Sequence, residues 1–134
     1  MRRKPQLTLD DAFRMAGAMR AAAADKKFEP TIAIVDFSGA LIYLERPDRQ
    51  SPNSVEVATL KARTAVFRER PSSQLEQRVK DQPGWLMFPN GLAMGGGVPL
   101  FHNGECVGAV AVSGIAHDDE PVAEVGAAAL RTDS

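Results

Sequence analysis

The sequence predicts an α+β fold, an antiparallel sheet of about five strands with helices packed on it. Two observations carry that reading. Runs of β-branched and apolar residues come in pairs joined by tight-turn signals, Ser38-Gly39 and Asn103-Gly104, which marks hairpins and not βαβ crossovers. Between and around those pairs, apolar residues recur at helical spacing.

The first helix begins at Thr8-Leu9-Asp10-Asp11, where a hydroxyl and a carboxylate three residues on satisfy free N–H groups and favour the helix dipole. Leu9, Ala12, Phe13, Ala16, Met19 and Ala23 then form one stripe, predicting a helix over 9–25. Thr31 to Phe37 and Ala40 to Leu44 read as two strands of a hairpin. Pro52-Asn53 opens a second helix that ends near Arg68, with Val55, Ala58, Ala62, Ala65 and Val66 on one face. Ser72 is expected to cap a short third helix through Lys80, stopped by Gln82-Pro83-Gly84. Trp85-Leu86-Met87-Phe88-Pro89 reads as a further brief strand, Val98 to His102 and Glu105 to Val112 as a second hairpin, and Glu120 to Arg131 as the last helix. The order is therefore α-β-β-α-α-β-β-β-α.

Length and composition bound the function. A chain of 134 residues suits one domain with a real core, and 44% hydrophobic with 25% charged residues is ordinary globular usage. A net charge of −1 leaves no excess cations for a phosphate backbone, so nucleic acid is not an expected partner. Cys106, the only cysteine, excludes an internal disulfide and any multi-cysteine metal cage, and implies a reducing compartment. Asp10, Asp11 and Arg14 interrupt what would follow Arg2-Arg3-Lys4 in an export signal, and no apolar run of about 18 residues could cross a bilayer. The expectation is a cytoplasmic protein without a membrane partner.

The stretch Gly91 to Pro99 draws the eye for chemistry. Gly95-Gly96-Gly97 followed by Val98-Pro99 suits neither helix nor strand interior, so it serves either as a connector or as a loop that something approaches closely. His117 follows Ser113-Gly114-Ile115-Ala116 at the exit of a strand, before the acidic run Asp118-Asp119-Glu120. It is either a loop histidine or a group that titrates near neutrality or binds iron, its ring oriented by those carboxylates. His102 reads as solvent-facing, Cys106 as a small buried thiol, and Ser113 lacks the Gly-x-Ser-x-Gly setting of a nucleophile. Ser54 and Lys61 share a helix face, and Arg63 lies at the border of that helix's apolar stripe. If that face looks onto the glycine loop, Lys61 or Arg63 meets a carboxylate-bearing ligand. Asp36 caps its own turn or carries a proton.

Several segments together resemble a known family. They are Leu7-Thr8-Leu9-Asp10-Asp11-Ala12, Ile34-Val35-Asp36-Phe37-Ser38-Gly39-Ala40-Leu41, Lys61-Ala62-Arg63-Thr64-Ala65, Gly95-Gly96-Gly97-Val98-Pro99 and Gly108-Ala109-Val110-Ala111-Val112-Ser113-Gly114. In order and spacing they resemble the GlcG/HbpS-like heme-binding family, also found as the C-terminal domain of PduO-type cobalamin adenosyltransferases, over about residues 7–130. The resemblance implies a profilin-like sandwich with a five-stranded antiparallel sheet, a homo-oligomer, and heme or another small ligand.

The family does not share one iron ligand, so His117, His102 and Met94 are candidates by chemistry alone, with His117 preferred. The matching positions place a pocket at Lys61, Arg63, Met94, Gly95, Gly96, Gly97, Val98, Pro99, Ser113, Gly114 and His117, with Phe88 beside the ring. The expected function is small-ligand binding, heme foremost. The alternative is a cofactor-independent isomerase, tautomerase or lyase acting on a small organic acid, with Arg63 or Lys61 holding the carboxylate and His117 or Asp36 moving the proton. A third reading, an assembly subunit, leaves the glycine loop a packing role only.

Overall fold

The computed structural model describes residues 1–131. Four helices and four strands follow in the order α1 (Leu9–Asp25), β1 (Thr31–Asp36), β2 (Leu41–Glu45), α2 (Asn53–Arg68), α3 (Ser72–Asp81), β3 (Gly97–His102), β4 (Glu105–Ser113) and α4 (Asp119–Arg131). The sheet runs β2-β1-β4-β3 and is antiparallel throughout, so β1 and β4 are its centre. No helix among the described residues is long and apolar enough to cross a membrane.

The sheet has four strands and not five. The segment expected as a further strand, Trp85 to Pro89, lies largely in a 3-10 helix over Pro83–Met87. Pro83 fixes the backbone at the first helical position, and the apolar residues that follow are not buried against the sheet: Leu86 is 64% and Met87 83% exposed. An apolar run of this length cannot by itself distinguish a strand from a turn of helix.

Thr8 caps α1 as its spacing predicts, with its hydroxyl accepting from the Asp11 amide at 3.1 Å and the Asp11 carboxylate accepting from the Thr8 amide at 2.9 Å. Ser72 behaves differently: it is the first residue of α3, Pro71 is the cap, and the Ser72 hydroxyl accepts a hydrogen bond from the Gly97 amide at 2.8 Å.

Helices cover both sheet faces. Ala12, Met15, Ala16 and Met19 of α1 and Val122, Ala123 and Ala127 of α4 pack with Ile32, Ile34, Val110 and Val112 on one face. On the other face, Ala62, Ala65 and Val66 of α2 meet Val35, Ala109 and Ala111. The two faces follow the alternation of β1 and β4. One irregularity interrupts it, because Leu100 pairs with Gly108 while Phe101 pairs with Cys106, leaving Val107 as an extra residue. The bulge lets Cys106 join the α2 side and Val107 the α1 side. Alanines on both sides of the α2 contact let that helix lie close to the sheet, which sets up the site below.

A side chain on Gly108 would collide with the Val35 carbonyl oxygen of the neighbouring strand, whereas nothing lies within 4 Å of the place a Cβ would take on Gly17 in α1. Gly108→Ala is therefore expected to lower stability by about 1–3 kcal/mol. Gly17→Ala is expected to raise it by about 0.5–1 kcal/mol, both read by denaturant unfolding.

Candidate functional site

The loop after the 3-10 helix returns over α2 and α3 before entering β3. Gly97 sits so close to α2 that a Cβ there would collide with the Lys61 carbonyl. Gly96 has φ 127°, and a Cβ on it would lie 3.0 Å from Lys61 Nζ and 2.7 Å from the Val112 carbonyl oxygen. The glycines are thus required first by the protein's own packing. Their hydrogen-bonding groups are drawn inward too: the Gly97 amide goes to Ser72, and the Gly96 carbonyl accepts from Val112 at 3.1 Å.

Beneath this loop lies the one buried ion pair among the described residues. Lys61, 1% exposed, donates to Asp119 Oδ2 at 3.0 Å and to the Val112 carbonyl at 3.3 Å. Asp119 Oδ1 accepts from the Ile115 amide at 3.0 Å, so both carboxylate oxygens are used. The pair joins residues 58 apart in sequence and ties α2 to the start of α4. A charge left alone at such depth is costly, and the pair offsets that through mutual attraction and shared hydrogen bonds.

A cleft of about 370 Å³ opens above the pair. Lys61, Gly95 and Met94 line one part, Ser73 and Glu76 of α3 another, and Ala116, His117, Asp119 and Glu120 the rest. Ser73 donates to Glu120 at 2.6 Å across the cleft, linking α3 to α4. His117 is exposed in the short 3-10 helix Ala116–Asp118, and its ring has no hydrogen-bond partner among the described residues. Met94 is 43% exposed. The carboxylates beside His117 do not orient its ring as expected. Asp118 pairs with Lys26 at 2.7 Å, Asp119 with Lys61, and Glu120 accepts from Ser73.

Of the residues singled out in the sequence, the cleft gathers Lys61, Met94, Gly95 and His117. Gly96 and Gly97 lie behind it, against Lys61 and Ser72. Val98 belongs to the core beside α1 and α4, Pro99 is buried in β3, and Ser113 is buried at the end of β4. Gly114 turns the chain with φ 102°, its carbonyl accepting from Gln50. Arg63 faces elsewhere, donating to the Gly39 carbonyl at 3.0 Å. Phe88 stacks on Trp85.

Asp36 sits at the opposite end of β1 from Thr31, which pairs with Ser113 near the cleft, so Asp36 and His117 are at opposite ends of the sheet. It caps its own turn, accepting from the Ser38 amide and hydroxyl and the Ala40 amide. Burial raises its pKa, but those hydrogen bonds outweigh burial and hold it below the usual carboxylate range. His102 lines a separate cavity of about 180 Å³ with Leu7, Val107 and Leu130. Burial pushes the Cys106 thiol up, away from a reactive thiolate.

Ser73, Glu76, Ala116, Asp119 and Glu120 went unmarked as site residues in the sequence. The acidic run before α4 was visible, but its assignment to Lys61 depends on a contact that only the packed fold creates. No group of three or more His, Cys, Asp or Glu residues that could hold a metal ion occurs among the described residues.

Fold and site together define an α+β domain with a cleft, lined by both charged and apolar groups, at one end of a four-stranded antiparallel sheet. The chain belongs to the HbpS-like family: the family model described as haem degrading protein HbpS-like matches residues 7–128. Protein GlcG of Escherichia coli K12 is 31% identical over 114 residues, covering 84% of this chain and 85% of GlcG. HbpS of Streptomyces reticuli, solved as a double mutant, is 32% identical with a TM-score of 0.89, covering 96% of this chain and 89% of that one. PduOC, solved as a heme complex, is 26% identical with a TM-score of 0.82, covering 93% of this chain and 95% of that one.

Lys61→Met leaves Asp119 buried without its cation and is expected to lower stability by about 3–5 kcal/mol. Adding Asp119→Asn removes the orphaned charge while keeping an acceptor for the Ile115 amide. The double variant should therefore be more stable than Lys61→Met alone, as a double-mutant cycle of unfolding free energies will show.

Proposed function

We propose that this protein binds heme in the cleft, with His117 as the iron ligand. The observation that carries the reading is the His117 imidazole, exposed on the cleft wall and hydrogen-bonded to no other group among the described residues. A neutral imidazole is a common iron ligand, and Met94 adds a thioether on the same cleft. The family description and the PduOC heme complex support the choice of ligand.

The donor set fits iron better than it fits propionates. Lys61 is already matched by Asp119, and Glu76 and Glu120 add negative charge at the cleft wall. Holding the ring therefore falls to the iron ligand and the small, apolar edge made by Met94, Gly95 and Ala116. Bound there, heme would supply an iron centre whose properties the imidazole tunes. We read the protein as a cytoplasmic oligomer. Phe37 and Leu41 flank the turn on which Phe67 packs, and all three are more than 40% exposed, which supports contact with a second copy. The single cysteine supports a reducing compartment.

Heme titration with absorption spectroscopy tests the site. The protein should give a saturable Soret shift, and His117→Ala should weaken binding by about tenfold or more while its melting temperature stays unchanged. Equal titration curves for the two would remove His117 as the ligand. Loss in His102→Ala instead would move the site to the cavity beside α1, and no difference between the protein and free heme would refute heme binding.

A further inference from the structure

The far end of α2 and α3 carries a cluster that the cleft does not use. Arg68 lies in the last turn of α2 and Arg78 in the last turn of α3, and Arg70 follows in the connection between them. Both Arg68 and Arg78 approach the Trp85 ring, their guanidinium carbons 5.4 and 4.5 Å from its centre. Phe88 stacks against the same indole at 6.4 Å.

Basic residues at helix C-termini complement the helix dipole, and that explains why two arginines stand there. It does not explain Arg68 Nη1, a buried nitrogen that meets no hydrogen-bond acceptor among the described residues. Nor does any carboxylate among the described residues lie within salt-bridge distance of the cluster. Burial, together with the positive charges of Arg70 and Arg78, depresses the pKa of Arg68 below its ordinary value. Among the described residues the Arg78 guanidinium donates to the Gln82 side chain at 3.2 Å, which also accepts from the Trp85 indole at 2.9 Å. Three guanidiniums gathered without an anion form a site short of one.

We propose that Arg68, Arg70 and Arg78, with Trp85, form a second ligand site for a phosphate group, either free phosphate or a monoester carried on an aromatic body. A dianion matches the accumulated positive charge better than a monocarboxylate does, and each guanidinium offers a two-pronged donor suited to phosphate oxygens. A phosphate seated beside the cluster supplies the counter-charge that the half-buried Arg68 lacks. Trp85 is only half-buried, and the part of its indole left uncovered by Phe88 and the arginines offers apolar contact to an aromatic substituent of an ester.

Trp85 is the only tryptophan in the chain, so its fluorescence reports on this site. Sodium phosphate is titrated at constant ionic strength, with chloride and acetate as matched controls, and calorimetry is run in parallel. A saturable change with phosphate is expected. Arg68→Gln and Arg70→Gln should each weaken it by about tenfold or more, while Arg49→Gln, which removes the same charge from the β2–α2 connection, should leave it unchanged. Arg70 is exposed, so its variant remains informative if Arg68→Gln unfolds. Phenyl phosphate binding several-fold tighter than phosphate identifies an aromatic ester as the ligand, and equal binding identifies free phosphate. Phosphate behaving like chloride, acetate binding as well as phosphate, or Arg49→Gln weakening binding as much as Arg68→Gln would each overturn the proposal.

Discussion

The Lys61–Asp119 pair is the constraint around which one end of the molecule is arranged. An ammonium held at 1% exposure needs a fixed counter-charge and acceptors, and the structure supplies both from β4 and the first residue of α4. Nζ can reach them only because α2 lies close to the sheet, which the alanines at 62, 65, 109 and 111 permit. It stays covered only because the loop above has no side chains at 96 and 97. Position 61, the glycines and the start of α4 therefore form one unit, and a change at any of them is felt by the others.

That unit changes what the glycine-rich loop means. Read from composition alone, such a loop invites the idea of amides turned toward an anionic ligand. Here the Gly97 amide is given to Ser72, and the absence of Cβ atoms serves contact with Lys61 and Val112. The loop forms the back of the cleft, leaving the ligand-facing chemistry to Met94, Glu76 and His117 at its walls. Of the two candidate proton carriers, Asp36 lies across the sheet from the cleft and already accepts three hydrogen bonds from its own turn.

How much was legible in the sequence follows the range of the interactions involved. The Thr8 capping box, the helical stripe of α1 and the turns at Ser38-Gly39 and Asn103-Gly104 are local, and they place their elements within a residue or so. The bulge at Val107 is set by pairing with β3, and nothing in the alternation of Cys106 to Val112 announces it. Trp85 to Phe88 shows the opposite failure. Its apolar character resembles that of a strand, but its aromatic rings serve Arg68, Arg78 and each other at the surface and not the core. The site was half visible: Lys61, Met94, Gly95 and His117 carry recognisable chemistry, whereas Arg63, two residues on from Lys61, points to Gly39 because the helix rotates it onto another face.

Helix α3 shows how a short element can separate two chemistries. Residues two apart on an α-helix project about 200° from each other. Glu76 accordingly lines the cleft while Arg78 lies against Trp85 on the other side. Ser73, one turn before Glu76, shares the cleft side and is bonded to Glu120. Ser72 holds the glycine loop, so the N-terminal half of α3 is fixed to both the loop and α4. A chain whose net charge is only −1 thus presents an acidic cleft and a cationic aromatic cluster as neighbours on one helix. Their separation depends on α3 keeping its rotation, which the Ser72 and Ser73 hydrogen bonds set.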